Sequence, residues 1–336
     1  MSGRNLRRQP LRNPGFWADF LIEHAQVLSI ALFFVLCCLL FAVFSPVFLM
    51  PGNLLNLLRQ DAPMLIVAVA MTFVITTGGI DLSVGSIVAL TNALAAIALR
   101  AGLPWPLMAL AILLVGALIG AAQGWFISYQ KIPAFIVTLA GLSMLRGLAL
   151  LLTKGYSIPL PPHGVFLELG RGWLLGLPVP AILACLVAAS GLVLLARTRY
   201  GRQVVAVGAN AEAARRAGMP AQRVIASVYV LSGVASALAG LVIAARLGSG
   251  SSNAAEGFEL NAIAAVVLGG TALLGGVGTV IGTVLGALTI AVIGNGLILL
   301  HVSPFLTQIV TGAIILLAIW LNARVFARLT VTRRKA

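Results

Sequence analysis

Apolar runs of about 20 residues, the length that carries an α-helix through a ~30 Å hydrocarbon core, succeed one another along most of the chain. They lack the alternation of membrane strands, and backbone in lipid must satisfy its own polar groups, so helices rather than a closed barrel are expected. Composition points the same way. The chain is 60% hydrophobic and 9% charged, whereas soluble domains carry about a quarter charged residues. The expected fold class is all-α, a polytopic helical membrane bundle.

Ten spans fit the sequence, at 26–45, 62–78, 83–100, 105–129, 133–152, 178–196, 224–246, 259–275, 277–300 and 304–322. Residues 53–59 read as a short interfacial turn of helix. The chain divides into a basic tail (1–25), a membrane domain (26–322) containing a polar segment at 197–223, and a second basic tail (323–336). With the N-terminus in the cytoplasm and sides alternating, sixteen of the 22 Lys and Arg fall inside and five outside, while Arg146 lies within a span. That bias is what the positive-inside rule expects of this orientation, with both termini cytoplasmic. The net charge of +14 is therefore a topology signal. It is not a nucleic-acid footprint, which would need a basic face with interleaved aromatics. No small-residue cleavage site follows the first apolar run, which reads as a retained helix. Cys37, Cys38 and Cys185 lie in apolar segments as small hydrophobes and offer neither a disulfide framework nor metal-ligand spacing.

Glycines recur at four-residue intervals at Gly116, Gly120, Gly124 and again at Gly278, Gly282, Gly286. Such stripes let backbones approach closely, either within the chain or at a subunit interface. A Gly-Gly motif at 74–86 is echoed at 266–278, as in transporters built from repeated halves.

Two segments stand out. Residues 78–86 read GGIDLSVGS, where glycines interrupt an apolar run and Asp81 precedes a new helix. A charge at membrane depth costs at least ~2.5–3.5 kcal/mol, so it needs a reason. Asp81 either caps the following helix or sits at a broken helix end facing an aqueous path. The second segment, 198–223, contains NAEAARRAG at 210–218. Asn210 suits an N-cap and Glu212 the first turn. Arg215 and Arg216 suit the last turn, Gly218 the C′ position, and Pro220 stops the helix. A short cytoplasmic helix is predicted, exposed enough to serve as a docking element.

With these segments, TRYGRQVVAVG at 198–208 and ELNAIAAVVLGGTALLGG at 259–276, the chain resembles the ribose-type permease family of ABC importers over most of its length. Glu212, Ala213, Ala214 and Gly218 also fit the loose EAA-xxx-G pattern of ABC permease coupling loops. The resemblance implies a subunit that pairs with a second permease copy or homologue around one path for a monosaccharide. It implies a cytoplasmic ATPase, usually with tandem nucleotide-binding domains, that receives the coupling helix at 210–218. It also implies a periplasmic sugar-binding protein at the outer face, and an inner-membrane location.

The chain has no GxxxxGK[ST] loop, and Lys131, Lys154 and Lys335 lack that context. No catalytic residue, metal or cofactor is expected in it, with ATP and Mg²⁺ held by the partner. Candidates to line the path are Asp81, Ser83, Asn92, Gln123, Asn261 and Asn295; the alternative for each is an interhelical hydrogen bond. Arg146 is expected to snorkel or to pair across helices. Glu168 and Glu256, in outer loops, and Glu259, at the start of a span, are candidates to meet basic residues of the binding protein; the alternative is that they are solvated loop charges. The alternative class is a secondary sugar transporter driven by an ion gradient. Such proteins hold ionisable residues in their helices, and Asp81 reads as nearly the only intramembrane acid.

Overall fold

The computed structural model describes residues 25–161, 164–303, 305–306, 309–314 and 316–317. Both basic tails, apart from Ala25 at the edge of the first, lie outside the described residues. So does part of the tenth expected span, whose described residues are helical.

In chain order the helices are α1 (Ala25–Phe44), α2 (Pro51–Thr76), α3 (Val84–Arg100), α4 (Trp105–Ser128), α5 (Ala134–Thr153) and α6 (Val165–Arg171). They continue with α7 (Val179–Arg197), α8 (Arg199–Ala209), α9 (Ala211–Arg216), α10 (Ala221–Leu247), α11 (Phe258–Leu268) and α12 (Val280–Leu299). Four two-residue strands form two small pairs, β1 (Ile158–Pro159) with β4 (Ser249–Gly250), and β2 (Trp173–Leu174) with β3 (Leu177–Pro178). By length and composition, α2, α4, α5, α7, α10, α12 and Val27–Phe44 of α1 can cross a membrane, giving seven candidate spans among the described residues. Helices α3 and α11 are apolar but shorter.

Three expectations change. The separate turn at 53–59 is instead the first part of α2, which opens with Pro51 at a position needing no amide donor and runs unbroken past Pro63. The span drawn at 259–275 is helical only to Leu268, because Gly270, Gly275 and Gly276 take positive φ. The polar segment carries two helices, α8 and α9, rather than one.

Packing sorts the helices into a centre and a rim. The membrane windows of α2 and α10 are each 78% buried, against 11% for α1 and α5. Both glycine stripes are spent inside the chain. On α4, Gly116, Gly120 and Gly124 lie against the backbone of Gly233, Tyr229 and Ala226 in α10. Gly278, Gly282 and Gly286 meet Thr76, Gly269 and Ala265. A β-carbon at any of these positions would collide, so these glycines set the helix–helix distance.

Candidate functional site

The polar segment is built from two capped pieces. Thr198 caps α8 by accepting from Gly201 N at 3.2 Å, and Val204 and Val207 of α8 are buried. Asn210 Oδ1 caps α9, accepting from Ala213 N at 2.9 Å. At the other end Met219 N donates to Ala214 O and Gly218 N to Arg215 O, both at 3.0 Å, with Gly218 at φ +82. This paired closure is the Schellman arrangement, which favours glycine at that position. Ala214 packs inward, while Asn210, Glu212, Ala213, Arg215, Arg216 and Gly218 are exposed. Glu212 accepts from Arg215 Nε and Nη2 at 3.0 and 2.9 Å and from Arg216 Nε at 3.0 Å. Those hydrogen bonds hold its carboxyl below the usual carboxylate range.

The last turn of α8 is wedged between two interruptions of the membrane helices, 77–83 between α2 and α3, and 269–279 between α11 and α12. Gly276 N donates to Thr76 O at 2.9 Å, joining the two breaks directly. A β-carbon on Gly208 would strike Thr76 O and Gly276 N, and one on Gly276 would sit 2.9 Å from Ala209 Cα. One on Gly275 would lie 2.8 Å from Gly208 O and 2.9 Å from Gly78 N. The two halves of the Gly-Gly echo therefore meet in space, with the last turn of α8 between them. Its spacing was visible in sequence; this convergence was not, because it depends on backbone contacts that only glycine permits.

Asp81 is fully buried, and both its oxygens are engaged. Oδ1 accepts from Ser83 N at 2.9 Å and from Ser83 Oγ at 2.6 Å, and Oδ2 accepts from Ser232 Oγ at 2.7 Å. Gln123 Nε2 donates to Ser83 Oγ at 2.8 Å. The network pins the first break to α4 and α10: Asp81 accepts from the amide of Ser83, the residue that precedes α3, as a capping role would have it, and no open surface reaches it. Ser83 and Gln123 are buried with it. Asn92 is also fully buried, accepting from Ser251 N at 2.5 Å. Asn295 forms a reciprocal amide pair with Asn53 at 2.9 and 3.1 Å, tying α12 to the start of α2. Asn261 is half-buried on α11, and its side chain makes no hydrogen bond among the described residues.

The outer candidates separate. Glu168 is exposed on α6 and Glu256 is exposed at 251–257, but Glu259 is half-buried in the first turn of α11, its carboxylate against Gly85 of α3. Arg146 reaches from α5 to the backbone of a non-helical segment rather than to another helix, donating from Nη1 to Ser252 O at 2.7 Å and to Ala254 O at 3.0 Å. Asp61 stands just before the span expected at 62–78, because α2 begins earlier than the apolar run. It lies within that helix, near Arg246, whose Nη1 donates to Gln60 O at 2.7 Å. Asp61 and Glu259 therefore add to Asp81 as acids in or between the apolar helices.

Residues 53–319 match the family described as the branched-chain amino acid transport system / permease component. The chain is 39% identical over 303 residues to the ribose import permease protein of Haemophilus influenzae, covering 89% of this chain and 93% of the relative. It is 44% identical over 285 residues to the ribose import permease protein of Bacillus subtilis, covering 84% and 88%. With the xylose transport system permease protein of Escherichia coli K12 it shares 36% identity over 360 residues, covering 89% and 90%. No solved structure matches it.

Proposed function

The chain belongs to the branched-chain amino acid transport system / permease component family, and from that premise we propose that it is the permease subunit of an ABC importer that carries a monosaccharide. It is a multi-pass inner-membrane protein and a transport subunit. The sugar class follows from relatives that import ribose and xylose. In this reading both termini face the cytoplasm, ten spans cross the membrane, and the units are the tails 1–25 and 323–336 around a membrane domain. ATP and Mg²⁺ belong to a partner ATPase, a binding protein delivers the sugar outside, and a second permease subunit completes the path.

The observation that carries the mechanism is the wedging of Gly208 and Ala209 between the two helix breaks. Helix α9, one residue further on, presents Glu212, Ala213 and Arg215 outward and is the coupling element that an ATPase groove would hold. Movement of α9 with the ATPase would pull α8 against Thr76 and Gly276 at once. Both breaks would then shift together, biasing the bundle between inward- and outward-facing arrangements. Of the polar candidates, Asp81, Ser83, Asn92, Gln123 and Asn295 frame the path, since their hydrogen bonds are spent on neighbouring segments. Asn261 retains a free amide to line it, and exposed Glu168 remains a docking candidate for the binding protein.

The test is a detergent pull-down with the ATPase encoded beside the gene, paired with uptake of labelled ribose and xylose. Wild type should retain the ATPase, and a Glu212→Arg, Gly218→Trp variant should lose it. Gly208→Val should keep the ATPase yet lose uptake, because the docking face survives while its link to the breaks does not. Retention of the ATPase by the double variant would remove α9 from the coupling role.

A further inference from the structure

Residues 251–257 descend into the membrane from the outer side without being a helix. Their start is fixed by β4, paired with β1, and by Ser251 N donating to Asn92 Oδ1 on α3. Their end is fixed at Gly85, where a β-carbon would sit 2.7 Å from Ala255 O and against the Glu259 carboxylate. Ser86, beside Gly85, donates to Leu142 O of α5 at 2.8 Å. At roughly 1.5 Å per residue, Leu142 lies about 12 Å along α5 from Ala134, on a helix about 30 Å long. From Asn92 to Gly85 the segment therefore drops about 10 Å, ending near mid-membrane.

Non-helical backbone at such depth is tolerated only when buried in protein or lining a water-filled cavity. Both conditions occur here, on opposite sides of one strand of chain. Arg146 Nη1 and Thr153 Oγ1 hold the protein side through Ser252 O, Ala254 O and Ser252 Oγ. On the other side Asn253 and Glu256 are exposed, and their side chains make no hydrogen bond or ion pair among the described residues. A carboxylate facing hydrocarbon at this depth would cost at least ~2.5–3.5 kcal/mol, which sets the exposed Glu256 against water or another polar surface rather than lipid. Below it, one Glu259 oxygen is buried and unpartnered, and the Asn261 amide is free.

We infer that Asn253, Glu256, Glu259 and Asn261 form a polar track through the outer half of the membrane that accepts and donates hydrogen bonds to the hydroxyls of the transported sugar. The chemistry fits an uncharged polyol. Carboxylates offer only acceptors to hydroxyl donors, and the two amides supply both functions. Arg146 is a positioning residue, because its charge is consumed by the backbone it holds. The assignment rests on the sugar-importer reading for its ligand, while the water-facing track stands on geometry alone.

The experiment uses the assembled transporter in sealed vesicles, with Cys37, Cys38 and Cys185 replaced by serine. A charged, membrane-impermeant methanethiosulfonate is added to both faces. Asn253→Cys and Glu256→Cys should react, whereas Leu118→Cys, an exposed mid-helix site on α4, should not. Ribose or xylose should slow the reaction at Glu256→Cys and leave an outer-loop control, Tyr156→Cys, unchanged. Absence of reaction at both track positions would overturn the water-facing assignment. Reaction unaffected by a sugar that the wild type demonstrably takes up would overturn the sugar contact. A wild type that takes up neither sugar contradicts the importer reading instead, and labelling still decides the track.

Discussion

Two interruptions of the membrane helices put carboxylates at depth, and they treat them in opposite ways. At 77–83, Asp81 is fully buried, with both oxygens engaged by Ser83 and Ser232. At 251–257, Glu256 is exposed and makes no hydrogen bond among the described residues, and the segment is instead held by Arg146 through its backbone. The same residue type serves as a pin in one place and as a free polar surface in the other. What distinguishes them is whether neighbouring helices supply donors. A carboxylate surrounded by donors fixes a shape; one without them needs water or another polar surface beside it.

The largest expected effect separates the two carboxylates in stability. Asp81→Ala should lower the stability of the purified protein by roughly 3 kcal/mol, since it orphans buried donors on Ser83 and Ser232. Glu256→Ala should stay within roughly 0.5 kcal/mol. Thermal unfolding in detergent reads both, and equal losses would break the contrast. Ser232→Ala should cost about 1.5 kcal/mol by removing one charge-assisted hydrogen bond, with Asp81→Asn falling between it and Asp81→Ala. Smaller still, a double-mutant cycle on Asn53→Ala and Asn295→Ala should return a coupling of about 0.6 kcal/mol, the usual size for an interhelical side-chain pair in lipid.

The smallest effect is a pH dependence outside the membrane. The Glu212 carboxyl is held low by hydrogen bonds from Arg215 and Arg216. Its contribution to α9 is therefore present above the ordinary carboxylate pKa, about 4.3, and is lost as pH falls through the lower folded value. ATPase pull-down should not change between about pH 8 and pH 5.5 on account of this group. A decline in that window that disappears in Glu212→Gln would contradict the assignment.

Much of this architecture could be read from residues. Long apolar runs announced the spans, and NAEAARRAG announced α9 with its caps, because capping is local chemistry. The sequence misled where a feature depends on partners distant in the chain. Nothing near Glu259 in sequence reveals that Gly85 opens a space beside it. Nothing near Asp81 reveals Ser232, which completes its bonding from α10. The half-length of α11 was hidden because Gly269 to Gly278 remains apolar enough to look like a span while its glycines turn the chain.

The central claim is an importer powered by a partner ATPase rather than by an ion gradient, and the acids Asp61 and Glu259, which add to Asp81 in or between the apolar helices, make that distinction the one to test. The measurement that tests it is initial uptake of labelled ribose and xylose by cells under two treatments. One dissipates the ion gradients while ATP is maintained, and the other depletes ATP while the gradients are held. Uptake that survives the first treatment and stops under the second is the predicted result. Uptake that collapses with the gradients while ATP remains would contradict the account.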